Sequence, residues 1–215
     1  MDRLTYTLIS DGSSDTTLMH IINWSLRDLY PNLPIDPHYA DFNPLPQKPS
    51  QGDVQKRIEI ASKYYPFDLC IYHRDAEKNE RDILDMRTTE VLNKLNDETR
   101  KKVVCIIPIK MMESWLLTDE KAIKFAANNP NGHVQLNLPS IRRIEALPSA
   151  KDMLHSLLTT ATENNKRRLK SFNVDRAVHL VAEHTDSFEK LRQLSAFNKF
   201  EQELKRAVDT LLMLD

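Results

Sequence analysis

The chain has 215 residues, 40% apolar and 28% charged, which is the composition of a globular protein and excludes a disordered or fibrous one. Lys plus Arg number 30 against 31 Asp plus Glu, a net charge of −1, so no overall basic field exists to hold nucleic acid and only a local patch or a metal could do so. No apolar run approaches the roughly 18 residues of a membrane span, the opening Met1 to Thr5 is no signal peptide, and Cys70 and Cys105 lie inside apolar runs as reduced thiols do; a cytoplasmic protein without a membrane partner is expected.

In chain order, Leu4 to Ile9 reads as a strand through its β-favouring apolar side chains, and Ser10-Asp11-Gly12-Ser13-Ser14-Asp15 ends it as a turn and cap cluster. Leu18, Ile21, Ile22, Leu26 and Leu29 recur at helical spacing up to Pro31. Within the proline-rich residues 31–49, Ile35 to Phe42 is a candidate second strand, and Val54 to Tyr65 is a helix stopped by Pro66. Phe67 to Tyr72 is the clearest strand, a continuous apolar run suited to burial on both faces. A polar segment, His73 to Asn79, leads to a helix over Glu80 to Leu95, then a buried strand over Val103 to Ile109 and a helix over Met112 to Asn128. This alternation predicts an α/β core over residues 1–128, a mostly parallel sheet flanked by helices. Residues 129–215 read as a linker to about 146 and a helical C-terminal extension packing on the core, with helical periods over Leu147 to Asn165, Val174 to Glu183 and Phe188 to Leu214.

Three candidate parallel strands end in acids: Asp11 and Asp15 after the first, Asp75 and Glu77 after the third, and Glu113 past the last. In an open α/β sheet, ligands bind beyond the carboxyl ends of the strands, so these side chains are expected on one rim. Converging carboxylates repel unless protons or cations neutralise them, and hard oxygen donors favour Mg²⁺ or Mn²⁺. Taken singly, each cluster also has a plainer reading, Asp11 and Asp15 as a turn and helix cap, Asp75 and Glu77 as the first turn of a helix, and Glu113 as an ion pair; Glu113, among Met111, Met112 and Trp115, needs a partner, for which Lys110 or Arg74 would serve. His73, two residues before Asp75, is a candidate ligand or a hydrogen-bonded edge histidine.

The segments Leu8 to Asp15 and Asp75-Ala76-Glu77 resemble the acidic first turn and the Asp-x-Asp motif of Toprim domains, and Glu113-Ser114-Trp115-Leu116-Leu117-Thr118-Asp119 resembles a stretch of the Toprim-like DUF4276 family, linked to bacterial anti-phage and mobile-element loci. The likeness implies a Toprim-like fold and a Mg²⁺- or Mn²⁺-dependent nuclease, with Asp11 in the acid/base position, Asp75 and Glu77 holding metal, and Asp15 and Glu113 completing the acidic shell. Asp11 stands where the family has glutamate and Glu77 where it has aspartate, shifting each carboxylate's reach by about 1.5 Å. A catalytically idle partner or regulator of an ATPase in a defence complex is therefore the alternative, and a metal-dependent phosphatase of small molecules a third. Lys166, Arg167 and Arg168 form the densest basic run, either a solvated helix end or a phosphate-contacting patch; Lys110 and Arg74 are the candidate phosphate contacts nearer the acids.

Overall fold

The computed structural model describes residues 1–46 and 48–213, with the side chains of Ser13 and Ser171 left aside. Among these residues the strands β1 (Leu4–Ile9), β2 (Ile35–Tyr39), β3 (Leu69–His73) and β4 (Val103–Ile106) form one all-parallel sheet in the order β2-β1-β3-β4. Register follows side-chain alternation. Leu4, Tyr6 and Leu8 of β1 join Leu69 and Ile71 of β3 on one face, while Ile9, Cys70 and Tyr72 fill the other. Because both faces are covered, the central strands carry no polar alternation, which is why β3 is a continuous apolar run.

The helices of the first half are α1 (Leu18–Leu29), α2 (Val54–Tyr64), α3 (Ile83–Leu92), α4 (Asp97–Arg100) and α5 (Glu120–Ala126). The face of α1 made by Leu18, Ile21, Ile22 and Leu26 is buried on one side of the sheet; Val54, Ile58 and Ala61 of α2 are buried on the other. The α/β class and the expected parallel sheet flanked by helices are thus present.

Several boundaries differ from the periodicity. The expected helix over Met112 to Asn128 is broken into a 3-10 turn, Met112–Leu116, and α5, because the Asp119 side chain accepts from the Lys121 and Ala122 amides and starts a new helix there. The segment from Glu80 begins its helix only at Ile83, after Asp82 in a left-handed conformation with φ 61°. Asp75 and Glu77 consequently lie in a loop rather than in a first helical turn.

The second half contains α6 (Ile141–Ile144), α7 (Ala150–Ala161), α8 (Lys166–Ser171), α9 (Val174–Glu183) and α10 (Ser195–Met213). The expected single helix from Phe188 to Leu214 is instead a 3-10 turn, Glu189–Gln193, followed by α10, and Leu214 lies outside the described residues. Glu145 accounts for the break: its carboxylate accepts the Ala196 amide at 3.0 Å and the Ser195 hydroxyl at 3.0 Å, taking up free donors at the start of α10. The C-terminal helices share their core with the sheet. Trp115, fully buried, meets Phe197 at 5.3 Å and Phe200 at 6.4 Å between ring centres, within the apolar cluster that also holds Tyr6 and Ile106. No helix among the described residues is long and apolar enough to cross a membrane.

Candidate active site

The strand order fixes where a ligand crevice can open. From β1 the chain goes to β2 on one side, and it returns to β3 on the other, so the carboxyl ends of β1 and β3 diverge between their connections; this is the switch point at which α/β sheets bind ligands. A cleft of about 390 Å³ lies there, lined by Asp11 and Asp15 after β1, by the run from Tyr72 to Asp75 and Glu77 at the end of β3, and by Gln51, Gly52, Val54 and Lys94.

Three backbone bonds hold the loop after β3 alongside the loop after β4: Arg74 N–H to Ile106 O, Ala76 N–H to Pro108 O and Glu77 N–H to Lys110 O. Glu77 and Lys110, joined by the last of these, both adopt left-handed φ values, 63° and 62°. For residues with a Cβ such conformations cost on the order of 1 kcal/mol each, so the surrounding bonds over-determine this edge.

At its centre sits His73, buried between two acids. Its Nε2 shares a hydrogen bond of 3.2 Å with Asp75 Oδ1, and its Nδ1 lies 3.2 Å from Asp15 Oδ2, in ion-pair range but without hydrogen-bond alignment. Burial disfavours the imidazolium, yet the two carboxylates outweigh it and raise the His73 pKa to about 9. Burial likewise opposes ionisation of Asp15, but His73, the Gly12 N–H at 3.0 Å and Ser10 together hold its carboxyl below the usual range. Glu113 shows the opposite balance. Burial pushes its carboxyl up, its own backbone amide pulls it back, and the negative charges of Asp75 and Asp15 add to the rise. Glu113 is not in the wall of the cleft, yet it senses acids from two other strand ends.

Arg57 is the residue that sequence reasoning missed. It lies on the buried face of α2, three residues after Val54 and four before Ala61, and is 3% exposed. Its guanidinium pairs with the Asp11 carboxylate, donates to Ser10 O at 2.5 Å, and stacks over the Phe42 and Tyr72 rings. An arginine on an apolar helical stripe was the available signal, since a buried cation needs a specific partner.

The sequence-derived candidates divide accordingly. Asp11, Asp15, Asp75, Glu77 and Arg74 share the cleft; Glu113 adjoins it electrostatically. Glu77 directs its carboxylate to Arg87 at 2.8 Å. Lys110 bonds the carbonyl of Leu147 and so ties the linker to the β4 loop, outside the cleft wall. Lys166, Arg167 and Arg168 belong to α8, where the Arg168 guanidinium reaches Glu163 and Thr162 O. Neither these three nor Lys110 line the cleft.

For a divalent cation, the donors are hard carboxylates, of which Glu77 is the most open, with 65% of its side chain exposed, followed by Asp11 at 47% and Asp75 at 36%. Among the described residues no three His, Cys, Asp or Glu side chains stand close enough together to hold a metal ion. Mg²⁺ commonly takes only one or two carboxylates and keeps its waters, so a closed cage of side chains is not what it requires. No protein-family model matches the chain, and neither the curated proteins nor the solved structures include a match.

Proposed function

We propose that the protein is a Mg²⁺- or Mn²⁺-dependent phosphodiester hydrolase of Toprim type acting on nucleic acid, in the reducing cytoplasm of a bacterial defence or mobile-element context. The observation carrying this reading is that acids sixty or more positions apart, Asp11 and Asp15 on one strand end and Asp75 on another, line one cleft at the switch point of a parallel sheet. Two free cysteines, with burial pushing the Cys105 thiol up to about 12, suit a reducing setting. Asp75 and Glu77 would hold the cation, with Asp11, Asp15 and Glu113 around them. A divalent ion there supplies Lewis-acid polarisation of a phosphoryl oxygen and a bound water of lowered pKa.

The chain's own residues have separable tasks in this scheme. Arg57 fixes the orientation of Asp11, whose carboxylate borders the cleft and can accept a proton from an attacking water. His73 holds Asp15 and Asp75 apart from each other and stores the proton that keeps them from repelling. Glu113, beside the cleft rather than in its wall, has a carboxyl raised by burial and neighbouring charge, the direction a proton donor needs. The test is cleavage of single-stranded DNA and of RNA in Mn²⁺, with Asp75→Ala as control, beside metal-dependent thermal protection. Cleavage and protection present in the wild type and lost in the variant support the hydrolase.

A second reading has its own observation. Asp11 pairs with Arg57, Asp15 and Asp75 with His73, and Glu77 with Arg87, so each cleft carboxylate already has a cationic partner within the fold. Such a site is stable without metal, as suits a catalytically idle partner or regulator of an ATPase in a defence complex. Thermal stability indifferent to Mn²⁺ in both proteins would select this reading.

A further inference from the structure

The lining of the cleft holds two cations, Arg74 and Lys94, as well as its acids. Arg74 enters from β3 and turns toward α3, where its Nη1 lies 3.5 Å from Glu90 Oε2; the same oxygen is held at 2.9 Å by Arg87. Glu90 therefore keeps a close cation if Arg74 swings away, and Arg74 can exchange this contact for a ligand without orphaning a carboxylate. Lys94, just past the end of α3, is exposed; its ammonium donates to Gly52 O at 3.3 Å, which holds it over the cleft from the far wall. Gln51 Nε2, an amide donor, borders the same wall through a 3.4 Å bond to Asp11 O.

We propose that Arg74 and Lys94 form a phosphate subsite of this cleft, which takes a terminal phosphate carried by nothing larger than a nucleoside or a single strand end. Three features select that ligand class. An Arg and a Lys lining one cleft from two elements suit a compact dianion, the guanidinium through two parallel N–H bonds and the ammonium as a point charge. The neighbouring negative charge is reduced within the fold, Asp11 being paired with Arg57 and Glu77 with Arg87. A volume of about 390 Å³ is near the lower end for small-ligand sites, and a chain of net charge −1 offers no broad field for a duplex.

The subsite deepens the hydrolase reading by naming its substrate end, and it can be tested without any hydrolysis. Calorimetric titration in the absence of divalent metal uses inorganic phosphate, a nucleoside monophosphate, and a short single-stranded oligonucleotide with either a 5′-phosphate or a 5′-hydroxyl. Wild-type protein is expected to bind phosphate, and Arg74→Met and Lys94→Met each to lose roughly tenfold or more in affinity, the worth of one charge-assisted bond. Lys166→Met, remote from the cleft, is expected to leave it unchanged. Preference for the 5′-phosphorylated strand over the monophosphate assigns the strand end as the source, and the reverse preference assigns a free nucleotide. No phosphate binding by the wild type, or unchanged binding in the Arg74→Met/Lys94→Met double variant, overturns the subsite. Phosphate bound in this manner with no metal-dependent cleavage of any of these compounds keeps the subsite and overturns the hydrolase.

Discussion

The Arg57 guanidinium and the Asp11 carboxylate form an ion pair whose cation is buried, 3% exposed, and whose anion stands half in solvent. The pair spans forty-six positions of sequence and couples α2 to the turn that follows β1. Arg57 is thus less a surface partner than a post set among Phe42, Tyr72 and Ser10, to which an acidic side chain of the turn is fastened.

Replacing that post exposes its value. Arg57→Met retains the apolar stacking volume and removes the ion pair and the bond to Ser10 O. Breaking a fully buried pair costs about 3–5 kcal/mol, and the half-exposed Asp11 recovers water, so a loss of about 2–3 kcal/mol is expected in urea denaturation. A loss below about 0.5 kcal/mol contradicts the assignment of Arg57 as an anchor.

His73 makes stability depend on pH in a definite direction. Its folded pKa is about 9 against an ordinary 6.5, so the folded protein keeps a proton that the unfolded chain releases. Stability from this group is complete below about pH 6.5 and is lost as pH rises toward about 9. Denaturation across that interval should show a falling stability, with a slope of up to ~1.4 kcal/mol per pH unit, that is flattened in His73→Gln. Equal slopes in the two proteins would refute the imidazolium bridge. Asp15, held low, acts at the other end: its contribution is present above the ordinary carboxylate range and lost as acid protonates it.

Glu113 should behave as a liability near neutral pH. A carboxyl whose folded pKa is raised stabilises the fold only while protonated, and it charges at a cost as pH climbs. Glu113→Gln is expected to be slightly more stable than the wild type at pH 7, by less than about 1 kcal/mol given its partial exposure, with the advantage vanishing near pH 4. Thermal melts at the two pH values decide it; a variant destabilised at pH 7 would mean that Glu113 holds a cation or a donor.

The contact between Trp115 and Phe197 joins the C-terminal helices to the sheet as a single cooperative unit. Phe197→Ala should cost about 3–5 kcal/mol and lower the midpoint of a single transition, seen alike by tryptophan fluorescence and far-ultraviolet circular dichroism. Two separated transitions would show that the residues after 129 fold on their own.

Much of the architecture was legible locally. Leu4 to Ile9 and the β3 run declare strands because a strand buried on both faces must be apolar throughout, and α9 matches its helical period from Val174 to Glu183. The gathering of Asp11, Asp15 and Asp75 at one edge also followed from strand order alone, since parallel strands bring their carboxyl ends together whatever lies between. The break before α10 was not legible, because Glu145 caps that helix from fifty residues away. Nor were the partners of the acids. Composition and spacing fix which side chains face a rim, but the charge left there depends on which distant side chains pack behind it. Here only the tertiary structure decided that Arg57 and Arg87 would stand beside the carboxylates, and that Lys94 would reach the same cleft, because ion pairing is set by proximity in space and carries no periodic mark in the chain.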